Sequence, residues 1–156
     1  MPREPRQSNQ APKEHPEFEE IVVQIDRVTR VVKGGRRLRF RALVVVGDRK
    51  GRVGAAVAKG SEVQAAVAKA SLAAKKSLIT VPITENGSIP HEIMEQYGAA
   101  QVFLKPAAAG TSIIAGGPVR SVVTLAGIEN ILSKNIGSNN KLNVVMATLA
   151  ALKSFK

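Results

Sequence analysis

Between Arg37 and Val46 the chain alternates with a period of two, and that alternation constrains the fold more than any other feature. Leu38, Phe40, Ala42, Val44 and Val46 interleave with Arg37, Arg39, Arg41, Leu43 and Val45. In an extended strand successive side chains point to opposite faces. One set predicts a continuous core face. The other begins as three arginines and ends on Leu43 and Val45.

The flanking segments extend this into a sheet. Ile21 to Val32 is rich in β-branched residues and reads as a strand. Lys33-Gly34-Gly35-Arg36 is a turn, and glycine supplies the positive φ such turns demand. Gly47 to Gly51 is a second turn. Arg52 to Ala58 is a third strand, with Val53, Ala55 and Val57 on one face. Ser61 and Gln64 then form a candidate capping box for a helix. Its stripe is Val63, Ala66, Val67, Ala70, Ala73, Ala74, Ser77 and Leu78. Lys69 and Lys76 share the opposite face. Pro82 ends this β-β-β-α unit, which is placed at residues 18–81. Residues 1–17, rich in Pro, Gln, Asn and charge, read as a disordered tail.

A second unit, residues 82–156, begins afresh. Ile83 to Ile89, Ile93 to Tyr97 and Gln101 to Pro106 are candidate strands, with Asn86-Gly87 as a turn. Gly110 to Gly117 leads to a helix starting at Pro118. Gly127 ends it as a C-cap. Ile128 to Ile136 reads as a strand. Ser138 or Asn139 caps a last helix with Leu142, Val145, Met146, Leu149 and Leu152 on one face. The fold class expected is α+β, in two small domains.

Charge narrows the function. The net charge is +11, and residues 21–82 alone hold fourteen basic and three acidic side chains. Such a local block is the footprint of a polyanion partner. From Arg27 to Arg41 there are seven basic residues and no acidic one. A hairpin tip ringed by Lys33, Arg36 and Arg37 can hold phosphate oxygens. The plainer alternative is an edge strand charged against aggregation. The chain has four Phe, one Tyr and no Trp. That scarcity argues against base stacking and for recognition of folded RNA through phosphate, 2′-OH and shape.

Other chemistries find no foothold. There is no cysteine, and the two histidines, His15 and His91, stand in no ligand spacing. Gly116-Gly117-Pro118 lacks a following Lys-Ser/Thr and is no phosphate loop. No nucleophile set or carboxylate pair presents itself. The sequence predicts no enzyme, no cofactor, no metal and no small-molecule substrate. The polar N-terminus, without an apolar core or spanning run, predicts a soluble cytoplasmic protein with no membrane partner.

Several strings, in order, carry a resemblance. They are V-V-K-G-G-R-R at 31–37, A-L-V-V-V-G-D at 42–48, G-R-V-G at 51–54, G-T-S-I-I-A-G-G at 110–117 and N-V-V-M-A-T at 143–148. Over residues 18–152 the chain resembles the bacterial small-subunit ribosomal protein S-five family. It departs from that pattern at Gly54-Ala-Ala-Val-Ala-Lys-Gly60, where the family often has G-F-G-x-G-K-A.

The resemblance implies a double-stranded-RNA-binding-like first domain and a second α+β domain with a left-handed βαβ crossover. It implies a structural constituent of the small ribosomal subunit, bound to its rRNA where head and body meet. It further implies contacts with ribosomal proteins S-four and S-eight, a place near the path by which mRNA enters, and support of assembly and translational accuracy together with S-four and S-twelve. The family's rRNA-contacting hairpin loop matches Thr29 to Arg36. Its S-four contact matches Gly110 to Arg120.

The RNA-contact set expected is thus Thr29, Arg30, Lys33, Gly34, Gly35, Arg36, Arg37, Arg39, Arg41, Lys50, Arg52, Lys59, Lys69 and Lys76. The protein-contact set is Gly110, Thr111, Gly116, Gly117 and Arg120. Two other function classes compete: a free-standing duplex-RNA regulator, and a small ATP-using enzyme on the second-domain fold.

Overall fold

The computed structural model describes residues 17–155. The tail expected over 1–17 therefore lies, except for Glu17, outside the described residues. The chain then runs β1 (Glu19–Val32), β2 (Gly35–Gly47), β3 (Arg52–Gly60), α1 (Val63–Lys76) and β4 (Ile79–Thr80). These strands form one antiparallel sheet in the order β1-β2-β3-β4. The β-β-β-α order is as the alternation predicts, with a two-residue edge strand added.

One face of this sheet packs on α1. Ala42, Val44, Val46 and Ala58 meet Ala66, Ala70 and Ala74. The buried side chains at its centre are alanines and valines, so the backbones come close. A Cβ on Gly54 would lie 2.6 Å from the carbonyl oxygen of Ala74, and one on Gly60 would lie 2.8 Å from the Ala66 nitrogen. Glycine and alanine in β3 are what let α1 lie this low.

The second sheet comprises β5 (Ile93–Tyr97), β6 (Ala100–Pro106), β7 (Ile113–Ile114) and β8 (Ile131–Gly137) in the order β5-β6-β8-β7. β7 and β8 are parallel, with α2 (Gly117–Ala126) between them in sequence, which makes a βαβ unit. α3 (Lys141–Ser154) follows. The molecule is α+β, with a β-β-β-α half and a mixed second sheet.

The other face of the first sheet is also covered. Leu43, Val45, Val53 and Ala55 share one core with Val102, Leu104, Val122, Leu125, Val145 and Leu152 from the second half. The face that starts as arginines thus ends inside a core common to both sheets. The set expected to be continuous core is not continuous: Leu38 is exposed, because β3 stops opposite Phe40.

Backbone bonds fasten the two halves. The N–H groups of Arg49 and Gly51, in the β2–β3 turn, donate to the carbonyls of Leu125 and Ala126, each at 2.9 Å. These are last-turn carbonyls of α2, which have no partner within the helix. Gly127 adopts φ +88° as the cap, and a Cβ there would collide with the Arg49 carbonyl.

Four local expectations need correction. The first residue before α1 is Glu62, and no side chain caps that helix, so Ser61 and Gln64 form no capping box. α3 is capped by Asn140, whose side chain accepts from the Leu142 N–H at 3.2 Å, and not by Ser138 or Asn139. Residues 83–89 are not a strand. Thr84 and Ser88 bond to each other across a turn through Gly87, and Ser88 Oγ accepts from the Ala107 N–H, so the segment is held as a turn and not in a ladder. Finally, α3 buries Val144, Ala147, Thr148 and Ala151 besides Val145 and Leu152, because the shared core surrounds it more widely than one stripe.

Candidate RNA interface

β1 and β2 outrun the rest of their sheet. β3 ends at Gly60, opposite Phe40, so residues 28–39 form a two-stranded arm. At its tip Gly34 takes the left-handed conformation at φ +87°, which favours glycine. Lys33, Arg36 and Arg37 are exposed around it.

Residues paired across antiparallel strands share a face. Arg30 pairs with Arg37, Val28 with Arg39, Asp26 with Arg41, and Arg41 in turn with Lys59. This puts Arg30, Arg37, Arg39, Arg41 and Lys59 on one face. An open groove of about 350 Å³ is lined there by Val28, Thr29, Arg30, Arg37, Arg39 and Lys59. It holds four cations and no carboxylate. Among the described residues, none of those four is in a salt bridge. Among the described residues their repulsion is unrelieved, which suits an external polyanion.

Arg41 differs. Its guanidinium donates to Asp26 through Nε at 3.1 Å and Nη2 at 2.5 Å. Those bonds hold the Asp26 carboxyl below its usual range, against the upward push of burial. Arg41 shares the face of the groove's cations but does not line the groove, and its charge is already answered.

The remaining expected contacts lie elsewhere. Lys50 and Arg52 stand at the β2–β3 turn, roughly 40 Å along β2 from the tip at the usual rise per residue. Arg52 is committed within the chain: Nε donates to Asp48 at 2.7 Å, Nη2 to Glu17 at 2.9 Å, and its guanidinium lies 4.9 Å from the Phe18 ring centre. Lys69 and Lys76 are exposed on α1, across the sheet from the groove. One flat surface cannot engage all fourteen residues. Thr29, Arg30, Arg37, Arg39 and Lys59 line one groove below the tip of Lys33, Gly34 and Gly35; Arg36, paired with Val31, stands on the opposite face, and Lys50, Arg52, Lys69 and Lys76 do not join them.

In the second half, Gly110, Thr111, Gly116, Gly117 and Arg120 lie along the approach to α2. Gly110 is left-handed at φ +89°. A Cβ on Gly116 or Gly117 would meet nothing within 4 Å, so no internal contact requires glycine there. Arg120 Nη2 donates to the Ile113 carbonyl at 3.3 Å. Sequence reading did not find Lys134 and Lys141, which border the same groove of about 530 Å³ as Gly116, Gly117 and Arg120. Nothing in their spacing marks them; Lys134 comes from β8, which pairs with β7, and Lys141 from the start of α3. His91 packs edge-on against Phe155, ring centres 5.0 Å apart, a structural position.

The two halves each match a known protein domain. The family model described as ribosomal protein S5, N-terminal domain, matches residues 18–82. That described as ribosomal protein S5, C-terminal domain, matches residues 95–156. "Small ribosomal subunit protein uS5c" of Spinacia oleracea is 55% identical over 139 residues, covering 89% of this chain and 45% of that protein. The protein of the same name from Emiliania huxleyi is 53% identical over 140 residues, covering 90% of this chain and 88% of that protein. The chain thus spans about half the length of the first relative and most of the second.

Proposed function

Since the chain belongs to the ribosomal protein S5 family, non-enzymatic structural proteins of the small ribosomal subunit, we propose that it binds small-subunit rRNA at the head–body junction through the β1–β2 arm. The observation that carries this is the groove lined by four cations and, among the described residues, no carboxylate, on an arm that no other described strand extends beside. Backbone amides and arginines at the tip take phosphate oxygens; the fold beneath fixes their spacing.

The second half contributes a protein contact. Gly116 and Gly117 let another backbone come close, and Arg120 sits in the first turn of α2, where its charge opposes the helix dipole. A cation poorly placed for its own helix suits an acidic external partner. By family resemblance that partner is S-four, with S-eight as a further neighbour and accuracy, shared with S-twelve, as the outcome. The neighbourhood of the mRNA path belongs to the same reading. The described helices include none long and apolar enough to cross a membrane. The ribosome is its location, and the plastid relatives make a plastid ribosome as good a home as a cytoplasmic one.

Ribosomes reconstituted with wild-type chain or with Arg120→Glu test both parts. The wild-type chain should co-sediment with small subunits through a high-salt gradient. The variant should also assemble, yet change the misreading frequency. A wild-type chain that stays at the top of the gradient defeats the ribosomal reading. Normal accuracy with normal assembly defeats the role given to Arg120.

A further inference from the structure

The arm has a second face, and it is not an arginine face. Ile25 pairs with Ala42, Arg27 with Phe40, Thr29 with Leu38 and Val31 with Arg36. Ile25, Phe40, Leu38 and Val31 therefore form an aliphatic and aromatic stripe along one side of the ribbon. Phe40 packs partly under α1, but Ile25 is 47%, Leu38 43% and Val31 77% exposed. From Ile25 to Val31 the stripe runs about 20 Å at the usual strand rise.

Leaving such side chains in water costs free energy that burial would recover. The sheet does not need Leu38 and Val31 there, since β3 ends at Gly60, opposite Phe40, and neither row beyond it has a third strand. Arg27 and Arg36 flank the stripe on its own face, Lys33 stands at the tip, and no acidic residue occurs from Arg27 to Gly47. An apolar strip edged by cations matches one polyanion surface in particular. The minor groove of an RNA duplex is wide and shallow, floored by ribose and base edges and bounded by phosphates.

We propose that this stripe lies in the minor groove of an rRNA duplex, with Val31 and Leu38 packed on ribose, Thr29 facing 2′-hydroxyls, and Arg27 and Arg36 on the bounding phosphates. The arm then grips RNA by both faces: the arginine groove by charge, the stripe by apolar contact. This rests on the rRNA reading above and adds a part of the affinity that salt does not screen.

The test uses the full-length chain rebinding to small subunits stripped of it, over a series of salt concentrations. Val31→Ala with Leu38→Ala should weaken binding roughly tenfold at every salt, since apolar burial is what those truncations remove. The slope of log affinity against log salt should not change. Val31→Thr, which keeps the shape and β-branching, should give a smaller loss of the same kind and guards against a folding artefact. Lys33→Ala with Arg37→Ala should instead flatten the slope by about 0.7–0.9 for each phosphate no longer neutralised. Hydroxyl-radical probing should show riboses protected by the wild-type chain and re-exposed by the apolar variant. Unchanged affinity of the apolar variants overturns the proposal, as does a changed slope. Ribose protection that persists while affinity falls assigns the stripe to a protein neighbour and also overturns it. An unchanged slope in the Lys33–Arg37 variant removes the rRNA reading of the arm itself, a different failure.

Discussion

Asp48 does more for this fold than its single charge suggests. Its Oδ1 accepts from the N–H groups of Lys50 at 2.8 Å and Arg52 at 3.1 Å, and its Oδ2 accepts from Arg52 Nε at 2.7 Å. These bonds shape the β2–β3 turn, in which Arg49 is held at φ +58° and donates, with Gly51, to the end of α2. Burial pushes the Asp48 carboxyl upward, but the bonds from Lys50 and Arg52 outweigh it and leave the pKa below the usual value. A carboxyl lowered in the folded state contributes stability that is fully present above the unfolded pKa of about 3.9. That contribution is lost as pH falls through the folded value. Asp26, lowered by its bonds from Arg41 against the push of burial, adds in the same direction. Asp48→Asn should therefore cost about 1–3 kcal/mol at pH 7, the range for buried hydrogen-bonding groups left unsatisfied. The gap between variant and wild type should shrink below about pH 4, where Asp48 of the unfolded chain begins to take up a proton, and should go on shrinking until the folded carboxyl is neutral as well. Urea unfolding near neutrality and in acid measures both; a gap of equal size under the two conditions would exclude ionisation as its source.

At the scale of elements, the contact between α1 and β3 is set by what is missing from it. Ala66, Ala70 and Ala74 are fully buried against a strand whose facing positions are Gly54, Ala56, Ala58 and Gly60. No room remains for a larger side chain. Ala70→Leu should destabilise by about 1–3 kcal/mol through overpacking, although leucine is a good helix former. Thermal unfolding decides it, and an unchanged or raised melting temperature would mean the helix can lift without loss. The alanine stripe of α1 and the alternation of β2 were legible because periodicity is a local property of sequence. The caps were not. Ser138, Asn139 and Asn140 stand in a row, and serine and asparagine both cap helices; only the backbone turn selects Asn140. Residues 83–89 look like a strand by composition, yet Thr84 and Ser88 bond each other across a turn, with the Ser88 hydroxyl on the Ala107 N–H. The basic character of the arm was also legible. Its division was not, because counting charge along a chain ignores strand direction: Lys50 and Lys33 are near in sequence and lie at opposite ends of β2.

Across the whole molecule the two sheets share one core, and this changes what "two domains" means here. The family models divide the chain into halves, yet Leu43, Val45, Val53 and Ala55 are buried among residues of the second half. Separating the halves would expose those side chains and leave the carbonyls of Leu125 and Ala126 without their partners in the β2–β3 turn. Any partly unfolded state suffers both losses, so such states are scarce and unfolding is cooperative. The amides of Val44 and Val46 in the first sheet and of Val102 and Leu104 in the second should then exchange with the same opening free energy. Gly127→Val tests the coupling. It forces a β-branched residue to φ +88° and drives its Cβ into the Arg49 carbonyl, at the seam and in neither sheet. Protection should fall by the same amount in both sheets. Loss confined to the second sheet would show that the halves open separately. The coupling matters for function because the arm belongs to one half and the Gly116–Arg120 segment to the other. A cooperative seam holds the proposed rRNA contact and the proposed protein contact at one fixed relative geometry, so strain at either can be felt at the other. In Gly127→Val a loosened seam should weaken rebinding to stripped small subunits, although every arm residue remains in place.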